Sequence, residues 1–285
     1  MAQQNTAPTF PETILDFAFF PYRGPPCSSA DAASRAWPNA VTSLAALAEP
    51  EDWTGQPNNT TAPYGILKNY ISYTYQRLVI EQKISTNADR TCATFNTGLL
   101  TRHGEEIFGF FEKNTRENKQ PWFFMSWVNE SNMTIMNKFS PLPEMAEYVA
   151  AAADLVYDMR HPLTLSTEHI IEQNLQRFPP NLQNESLARI TLNSAKEMTL
   201  KRLRRNYKLA IPQWYPILGA TGAQLLLPLD LTQSGTADLA LVVSATEGGG
   251  YRGHTVLTLE MAYSNARLVA RPNSDWLRPQ VGNSN

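Results

Sequence analysis

The chain has 285 residues, of which 42% are hydrophobic and 18% are charged, with 26 acidic residues against 24 basic ones. This composition is typical of a soluble globular protein of one large or two small domains. The formal net charge of −2 excludes a polycationic coat for nucleic acid or membranes, although it leaves a local basic patch open.

The sequence lacks several motifs that would indicate a cellular compartment or a cofactor. Cys27 and Cys92 are too far apart for a CxxC motif, so neither a disulfide framework nor a cysteine zinc site is predicted. The first ten residues have no signal-peptide pattern, and no apolar run reaches the roughly 18 residues of a membrane span. We therefore expect a cytoplasmic protein without membrane attachment.

Residues 1–63 hold nine of the 20 prolines and only two basic residues, Arg23 and Arg35. Proline enrichment of this kind predicts an N-terminal arm, followed by a single domain over 64–285. The apolar, aromatic run over 14–20 predicts that the arm docks on the body of the protein.

The first half of the domain is predicted to contain one helix and three strands. Apolar residues recur at helical spacing over 64–84, after Pro63. Three runs rich in aromatic and β-branched residues follow and predict an antiparallel meander, over 91–100, 106–112 and 122–128.

The second half is predicted to be helical first and then to return to strands. Helices are expected over 145–156, over 167–178 with Ser166 as N-cap, over 185–208 and over 260–269. Strands are expected over 224–231, 238–246 and 255–258. Strands, helices and strands in succession predict an α+β fold, in which one domain combines the antiparallel β-meander, a helical segment and C-terminal strands.

The segment 189–208 concentrates the basic charge. It holds seven basic residues and the single acid Glu197, which is a net charge of +6, while the other residues together carry −8. On a helix, four of the bases form one stripe, with four apolar residues available for the buried side. The stripe is Lys201, Arg204, Arg205 and Lys208, and the apolar residues are Leu187, Ile190, Met198 and Leu203. The stripe either binds a phosphate backbone or is a solvated face that complements the helix dipole.

Glycine spacing and histidine spacing bear on cofactor and metal binding. A formal GxGxxG occurs over 248–253, but too little chain follows it for a dinucleotide fold, so we interpret it as a hairpin tip. The four histidines lack metal-ligand spacing, and no metal is expected. His169, next to Glu168, is either a general acid or base or a structural histidine.

The C-terminal helix sets Glu260, Tyr263 and Arg267 on one face. Such a face lines a cleft or forms an exposed, salt-bridged surface. At the end of the basic segment, Lys208 and Gln213 either contact a substrate or belong to a plain helix exit.

Three segments resemble an uncharacterised domain family of bacteria and fungi: Phe95–Leu99, Asn206–Gln213 and Ala262–Leu277. The resemblance extends from about Tyr64 to Leu277. Bacterial members of this family are found beside LOTUS-type and cold-shock RNA-binding modules. The resemblance implies that RNA is a partner of this chain.

Stand-alone fungal proteins that look similar include the arginine-containing cyclodipeptide synthases. This resemblance implies a tRNA-dependent aminoacyltransferase that makes an arginine-containing cyclic dipeptide from arginyl-tRNA and a second aminoacyl-tRNA. An aminoacyl ester is already activated, so the enzyme needs to position two esters, move a proton and stabilise an oxyanion, without a cofactor. The alternative is an RNA-binding or RNA-processing domain that makes no small-molecule product.

The candidate site residues follow from these patterns together. The candidate catalytic residues are Glu260, Tyr263, Asn265, Arg267 and His169. The candidate substrate-binding residues are Asp238, Asp230, Asn96, Lys208 and Gln213, among which the carboxylates, like Glu260, could pair with an arginyl guanidinium. The candidate tRNA-binding residues are Lys196, Lys201, Arg202, Arg204 and Arg205.

Overall fold

The computed structural model describes residues 10–53, 55, 64–117, 119–215 and 224–278. Over these residues it contains seven α-helices and two five-stranded sheets, so the predicted α+β class is confirmed. The described residues form two compact units, one over 10–53 and 64–147 and the other over 148–278 together with Gly55. The predicted division at residue 63 stays a prediction, and Pro63 itself lies outside the described residues.

The first unit carries a sheet in the order β1-β5-β4-β3-β2. Strands β2 to β5 are antiparallel, and β1 runs parallel to β5. The elements are α1 (Ile14–Phe17), β1 (Ala18–Phe19), α2 (Ser29–Leu47), α3 (Gly65–Ile80), β2 (Ser85–Thr86), β3 (Cys92–Leu100), β4 (Glu106–Lys113), β5 (Trp122–Asn129) and α4 (Met133–Lys138). The predicted meander is confirmed: strands β3, β4 and β5 begin and end within one residue of their predicted bounds.

Helix α3 confirms the first predicted helix but ends at Ile80, four residues before its predicted end. Gln82 has a positive φ of 57°, a left-handed conformation that cannot continue a right-handed helix. The chain therefore reverses here and enters β2.

Aromatic rings fill the meander face that the N-terminal segment covers. Phe95 and Phe111 are fully buried, with ring centroids 5.5 Å apart. Between them, Gly109 is required for space, because a Cβ there would lie 2.8 Å from the Phe111 ring and 3.0 Å from Trp127. The packing around Gly109 therefore leaves no room for a larger residue at this position unless the neighbouring rings move.

The proline-rich N-terminal segment contributes a helix that the sequence analysis missed. Helix α2 starts at the N-cap Ser28, whose hydroxyl accepts from the Asp31 amide. Pro38 lies inside this helix, where its missing N–H leaves the Ser34 carbonyl without its usual donor. The helix persists because it buries Trp37 and four of its aliphatic side chains, and tertiary packing outweighs the local cost of one proline.

The predicted docking of the apolar run over 14–20 is confirmed within the first unit. The Phe17 ring is fully buried, 5.1 Å from Phe111 and 5.2 Å from Tyr75 between centroids. Phe20 is buried 4.7 Å from Trp37, which joins the run to α2. The N-terminal segment therefore supplies part of the unit's core.

The second unit carries a sheet in the order β6-β10-β9-β8-β7. Strands β7 to β10 are antiparallel, and β6 runs parallel to β10. The elements are β6 (Leu163–Leu165), α5 (Thr167–Asn174), α6 (Glu185–Leu203), β7 (Ile211–Gln213), β8 (Gln224–Leu229), β9 (Leu239–Ala245), β10 (Tyr251–Leu257) and α7 (Leu259–Val269). An aliphatic core joins the sheet to α5 and α6, and α7 packs against β7, β9 and β10.

The helix predicted over 145–156 is wrong. The structure has an extended segment followed by a short 3₁₀ turn at Ala152–Leu155, whose residues are all exposed. Ala146 and Tyr148 are buried at a spacing of two, which suits extended backbone and not a helix. The alanine run has helical propensity but no buried face, and packing decides the outcome.

The helix predicted over 185–208 ends earlier, because α6 stops at Leu203 with Arg204 as C-cap. The Asn206 side chain then caps a separate 3₁₀ turn, Tyr207–Leu209, so Lys208 lies outside the helix. The predicted buried side is wrong except at Leu203, since the other three predicted apolar residues are exposed. The exposed residues are Leu187, Ile190 and Met198, and the buried ones are Ala188, Leu192, Ala195, Thr199 and Leu203.

The remaining predictions for this unit hold with adjusted bounds. Helix α5 ends at Asn174 and continues as a 3₁₀ turn to Arg177, and Ser166 is at its N-cap without a side-chain cap bond. The glycine-rich run forms the predicted hairpin tip, with Gly249 at φ +79°. Strand β10 begins at Tyr251, four residues before the predicted start.

We expect Phe17→Ala to lower the free energy of unfolding by about 3–5 kcal/mol, the typical cost of emptying a buried aromatic site. Urea unfolding followed by tryptophan fluorescence measures this change. Leu15→Ala is the matched control, because Leu15 is 46% exposed on the same short helix. Equal, small effects of the two substitutions would contradict the docking of this segment.

Candidate functional site in the second unit

Buried amide side chains form a hydrogen-bonded chain on the sheet face that α7 covers. The Asn265 Nδ2 donates to the Gln213 Oε1 at 3.2 Å, and the Gln213 Nε2 donates to the Gln224 Oε1 at 3.0 Å. All three residues are at most 8% exposed. Because an unpaired buried amide costs about 1–3 kcal/mol, each of these groups depends on the next.

The chain ends at a histidine. The Gln224 Nε2 donates to the Ser244 Oγ at 2.8 Å and lies 3.4 Å from the His254 Nε2. We call the set Asn265, Gln213, Gln224, Ser244 and His254 the amide–imidazole network. Its members come from α7, β7, β8, β9 and β10, so the sheet pairing assembles the network.

Burial lowers the pKa of the His254 imidazole below its ordinary value, because the charged form is poorly solvated there. A protonated His169 lowers this pKa further by charge repulsion, while a hydrogen bond with the Arg252 backbone acts in the opposite direction. His254 is therefore neutral near pH 7 and can accept a proton.

Sequence reasoning missed His254, Gln224 and Ser244. No motif marks them, and the only signal is that Gln224 and Ser244 interrupt otherwise aliphatic strands. The register that pairs Gln224 with Gln213 across β7 and β8 becomes visible only in the folded sheet.

The candidate catalytic residues occupy different positions. Asn265 lies in the network and His169 is exposed on α5, close enough to influence the pKa of His254. On α7, Tyr263 is buried, whereas Glu260 in the first turn and Arg267 in the last are half-buried. Both charges suit the helix dipole at their ends.

The two aspartates predicted to bind substrate contact the chain itself. The Asp230 carboxylate is 4% exposed, and its Oδ2 accepts from Arg202 at 3.1 Å and from the Gly235 amide at 3.2 Å. Asp238 accepts from the amide and hydroxyl of Thr232 and closes the turn between β8 and β9. Both carboxylates are thus engaged within the chain, although the buried Asp230 Oδ1 has no hydrogen-bond partner among the described residues.

Asn96 belongs to the first unit, where it shapes a bulge in β3. Its side chain accepts from the Gly98 amide at 2.9 Å and donates to Glu106 at 3.1 Å. Gly98 has a φ of +71°, which a glycine adopts without strain.

Three bases of the segment 189–208 form ion pairs with acidic side chains. Arg189 pairs with Glu168, Lys196 pairs with Glu197 at 3.0 Å, and Arg202 pairs with Asp230. Two of the candidate tRNA contacts, Lys196 and Arg202, are thus engaged within the chain.

The other four bases are exposed and, among the described residues, have no carboxylate within 4.0 Å. They are Lys201, Arg204, Arg205 and Lys208, and we call them the basic surface. They lie at the C-terminal end of α6 and on the following turn. Tyr207, which is 59% exposed, lies among them in the sequence.

Within the described ranges, no three histidine, cysteine or acidic side chains come together as a metal site. Nor does any helix there have both the length and the apolar character that a membrane crossing requires.

Because the pKa of His254 is lowered by folding, the unfolded chain binds a proton at a higher pH than the folded chain does. We expect stability to fall as the pH drops below about 6.5, toward the lowered pKa. His254→Gln should flatten this dependence in thermal unfolding measured at stepped pH values. His103→Gln, at an exposed position, is the control that should keep the wild-type slope. Identical slopes for all three proteins would contradict the burial effect.

A family model for a domain of unknown function, DUF3825, matches residues 44–276, which is most of the chain. The match includes the segments that carry the amide–imidazole network and the basic surface. No curated protein and no solved structure matches the chain. The protein belongs to the DUF3825 family.

Proposed function

We propose that this protein is a tRNA-dependent aminoacyltransferase that forms an arginine-containing cyclic dipeptide from two aminoacyl-tRNAs. One observation carries the proposal: the segment Asn206–Gln213 runs from the exposed basic surface, through Lys208, into the amide–imidazole network, through Gln213. A surface that suits RNA phosphates is therefore joined, by a short stretch of chain, to a network that contains an imidazole.

The proposed reaction balances without a cofactor. The α-amino group of one aminoacyl ester attacks the carbonyl carbon of the other, an amide bond forms, and the tRNA hydroxyl leaves with a proton. The free amino group then attacks the remaining ester, closes the ring and releases the second tRNA. Two ester bonds are exchanged for two amide bonds, and nothing is oxidised or reduced.

The network residues suit the proton transfer and the developing charge. A neutral His254 takes a proton from the α-ammonium group, the resulting amine attacks the ester, and the imidazolium returns the proton to the leaving hydroxyl. The amide nitrogens of Gln213 and Asn265 each carry a second N–H beside the one used in the network, and these can donate to an oxyanion.

Recognition of the arginyl group falls to Glu260 in this proposal. Asp230 already pairs with Arg202, and Asp238 closes a turn, whereas Glu260 is half-buried on the helix that carries Asn265. A carboxylate accepts a guanidinium in a two-bond geometry, which favours arginine over lysine.

The sequence resemblances support this proposal from another direction. Membership of a family of unknown function agrees with the resemblance to an uncharacterised domain. The resemblance that suggests an activity is the one to the fungal arginine-containing cyclodipeptide synthases. The alternative is an RNA-binding or RNA-processing domain, of the kind that bacterial members with LOTUS-type and cold-shock neighbours suggest. The exposed Tyr207 beside the basic surface favours RNA binding in either case.

Expression in a bacterial host, followed by mass spectrometry of the medium, tests the enzymatic proposal. We expect an arginine-containing cyclic dipeptide with the wild type. Glu260→Gln should abolish the product without weakening tRNA binding, since an amide cannot form the charged pair. Glu172→Gln, at an exposed position on α5, should retain the product. Soluble wild-type protein that binds tRNA but yields no such product would favour the RNA-binding alternative.

The basic surface predicts a steep salt dependence of tRNA binding, because each neutralised phosphate releases counterions. Arg204→Glu combined with Arg205→Glu should reduce the slope of log affinity against log salt by about two, or roughly one per lost contact. The matched control is Arg102→Glu combined with Lys138→Glu, an equal charge change at exposed residues of the first unit. Equal slopes for both double variants would remove the basic surface as the RNA contact.

A further inference from the structure

A cleft of about 330 Å³ lies beside the basic surface, wholly within the second unit. Its walls come from the turn after α6, the start of β7, the 3₁₀ turn before β6 and the segment after α7. Its lining includes Tyr207, Lys208, Ile211, Leu155, Val156 and Arg271. The volume is at the lower end of the range for small-ligand sites and suits one nucleotide.

The lining combines exposed apolar groups with positive charge. Tyr207 is 59% exposed, and Leu155 and Val156 are 37% and 44% exposed. Lys208 and Arg271 are exposed too, and among the residues described neither has a carboxylate within 4.0 Å. A base that stacks on an aromatic ring, with its phosphate near two cations, is the ligand that such a lining fits.

One hydrogen bond joins two of the segments that contribute residues to the cleft. The Trp276 Nε1 donates to the Leu209 carbonyl at 3.0 Å, which ties the segment after α7 to the turn that carries Tyr207. These segments, Asn206–Gln213 and Ala262–Leu277, also supply Gln213 and Asn265 to the amide–imidazole network.

The cleft and the network share strand β7. Ile211 lines the cleft and Gln213 belongs to the network, and alternate residues of a strand lie on one face roughly 7 Å apart. A nucleotide in the cleft could therefore present a group on its sugar to the network. In an aminoacyl-tRNA, the nucleotide that carries a reactive ester on its sugar is the terminal, unpaired one.

We propose that this cleft binds the unpaired 3′-terminal nucleotide of tRNA, with the base stacked on Tyr207 and the phosphate near Lys208 and Arg271. This subsite rests on the proposed function, which requires that tRNA binds. In this proposal the two parts of the surface bind different parts of the tRNA. The basic surface binds the backbone of the base-paired region without regard to sequence, and the cleft binds the single-stranded 3′ end.

The test compares intact tRNA with the same tRNA trimmed of its unpaired 3′ nucleotides, by fluorescence anisotropy with each labelled at the 5′ end. The wild type should bind intact tRNA about tenfold more tightly, the size of effect that one stacked base produces. Tyr207→Ala should lose this preference and leave the affinity for trimmed tRNA unchanged, whereas Tyr207→Phe should retain it.

Two further variants separate the cleft from the basic surface. Arg204→Glu combined with Arg205→Glu should weaken both forms of tRNA equally, because the paired backbone is common to them. Ile190→Ala, at a 65% exposed residue of α6 outside the cleft, should behave as wild type.

Different results would contradict the cleft proposal and the proposed function. A wild type that makes the cyclic dipeptide but shows no preference for intact tRNA would overturn the cleft proposal alone, as would Tyr207→Ala that weakens both forms equally. Wild-type protein that binds neither form and makes no product would overturn both proposals.

Discussion

The second unit depends on the mutual satisfaction of three buried amides. Asn265, Gln213 and Gln224 come from a helix and two strands, and each amide uses its neighbour as hydrogen-bond partner. A shift of β7 by one residue would turn Gln213 to the opposite face of the sheet, so that the Asn265 Nδ2 would lose its acceptor and the Gln224 Oε1 would lose its donor. The network thus specifies both the register of the edge strand β7 and the position of α7 on the sheet.

The same constraint positions the chemistry. Gln224 pairs with Gln213 on one side and reaches Ser244 and His254 on the other, so the imidazole is held in a half-buried, weakly solvated place. Burial that the network imposes is also what lowers the pKa of His254. The same sheet architecture therefore holds the imidazole in place and favours its neutral form.

The basic residues of the segment 189–208 fall into two groups, those paired with acidic side chains and those left exposed. The acids nearest the basic segment pair with Arg189, Lys196 and Arg202, and these pairs leave the bases at the end of α6 exposed. Because α6 stops at Leu203, the last of these bases, Lys208, is placed on a turn beside the cleft and not on the helix face. The helix end therefore brings positive charge toward the residues that lead into the network.

The amino-acid sequence by itself determined the α+β class, the meander, the closing helix and the basic segment. These follow from local patterns, namely alternation, helical spacing and charge density, which need no long-range contacts. It also offered Gln213 and Asn265 as candidate site residues, but not the network that joins them. Helix α2, the early end of α6 and the absence of a helix over 145–156 were decided by packing, because buried area outweighs local propensity. Gln224, Ser244 and His254 became a site only through strand pairing, since residues 30 positions apart meet by register and no local pattern encodes that distance.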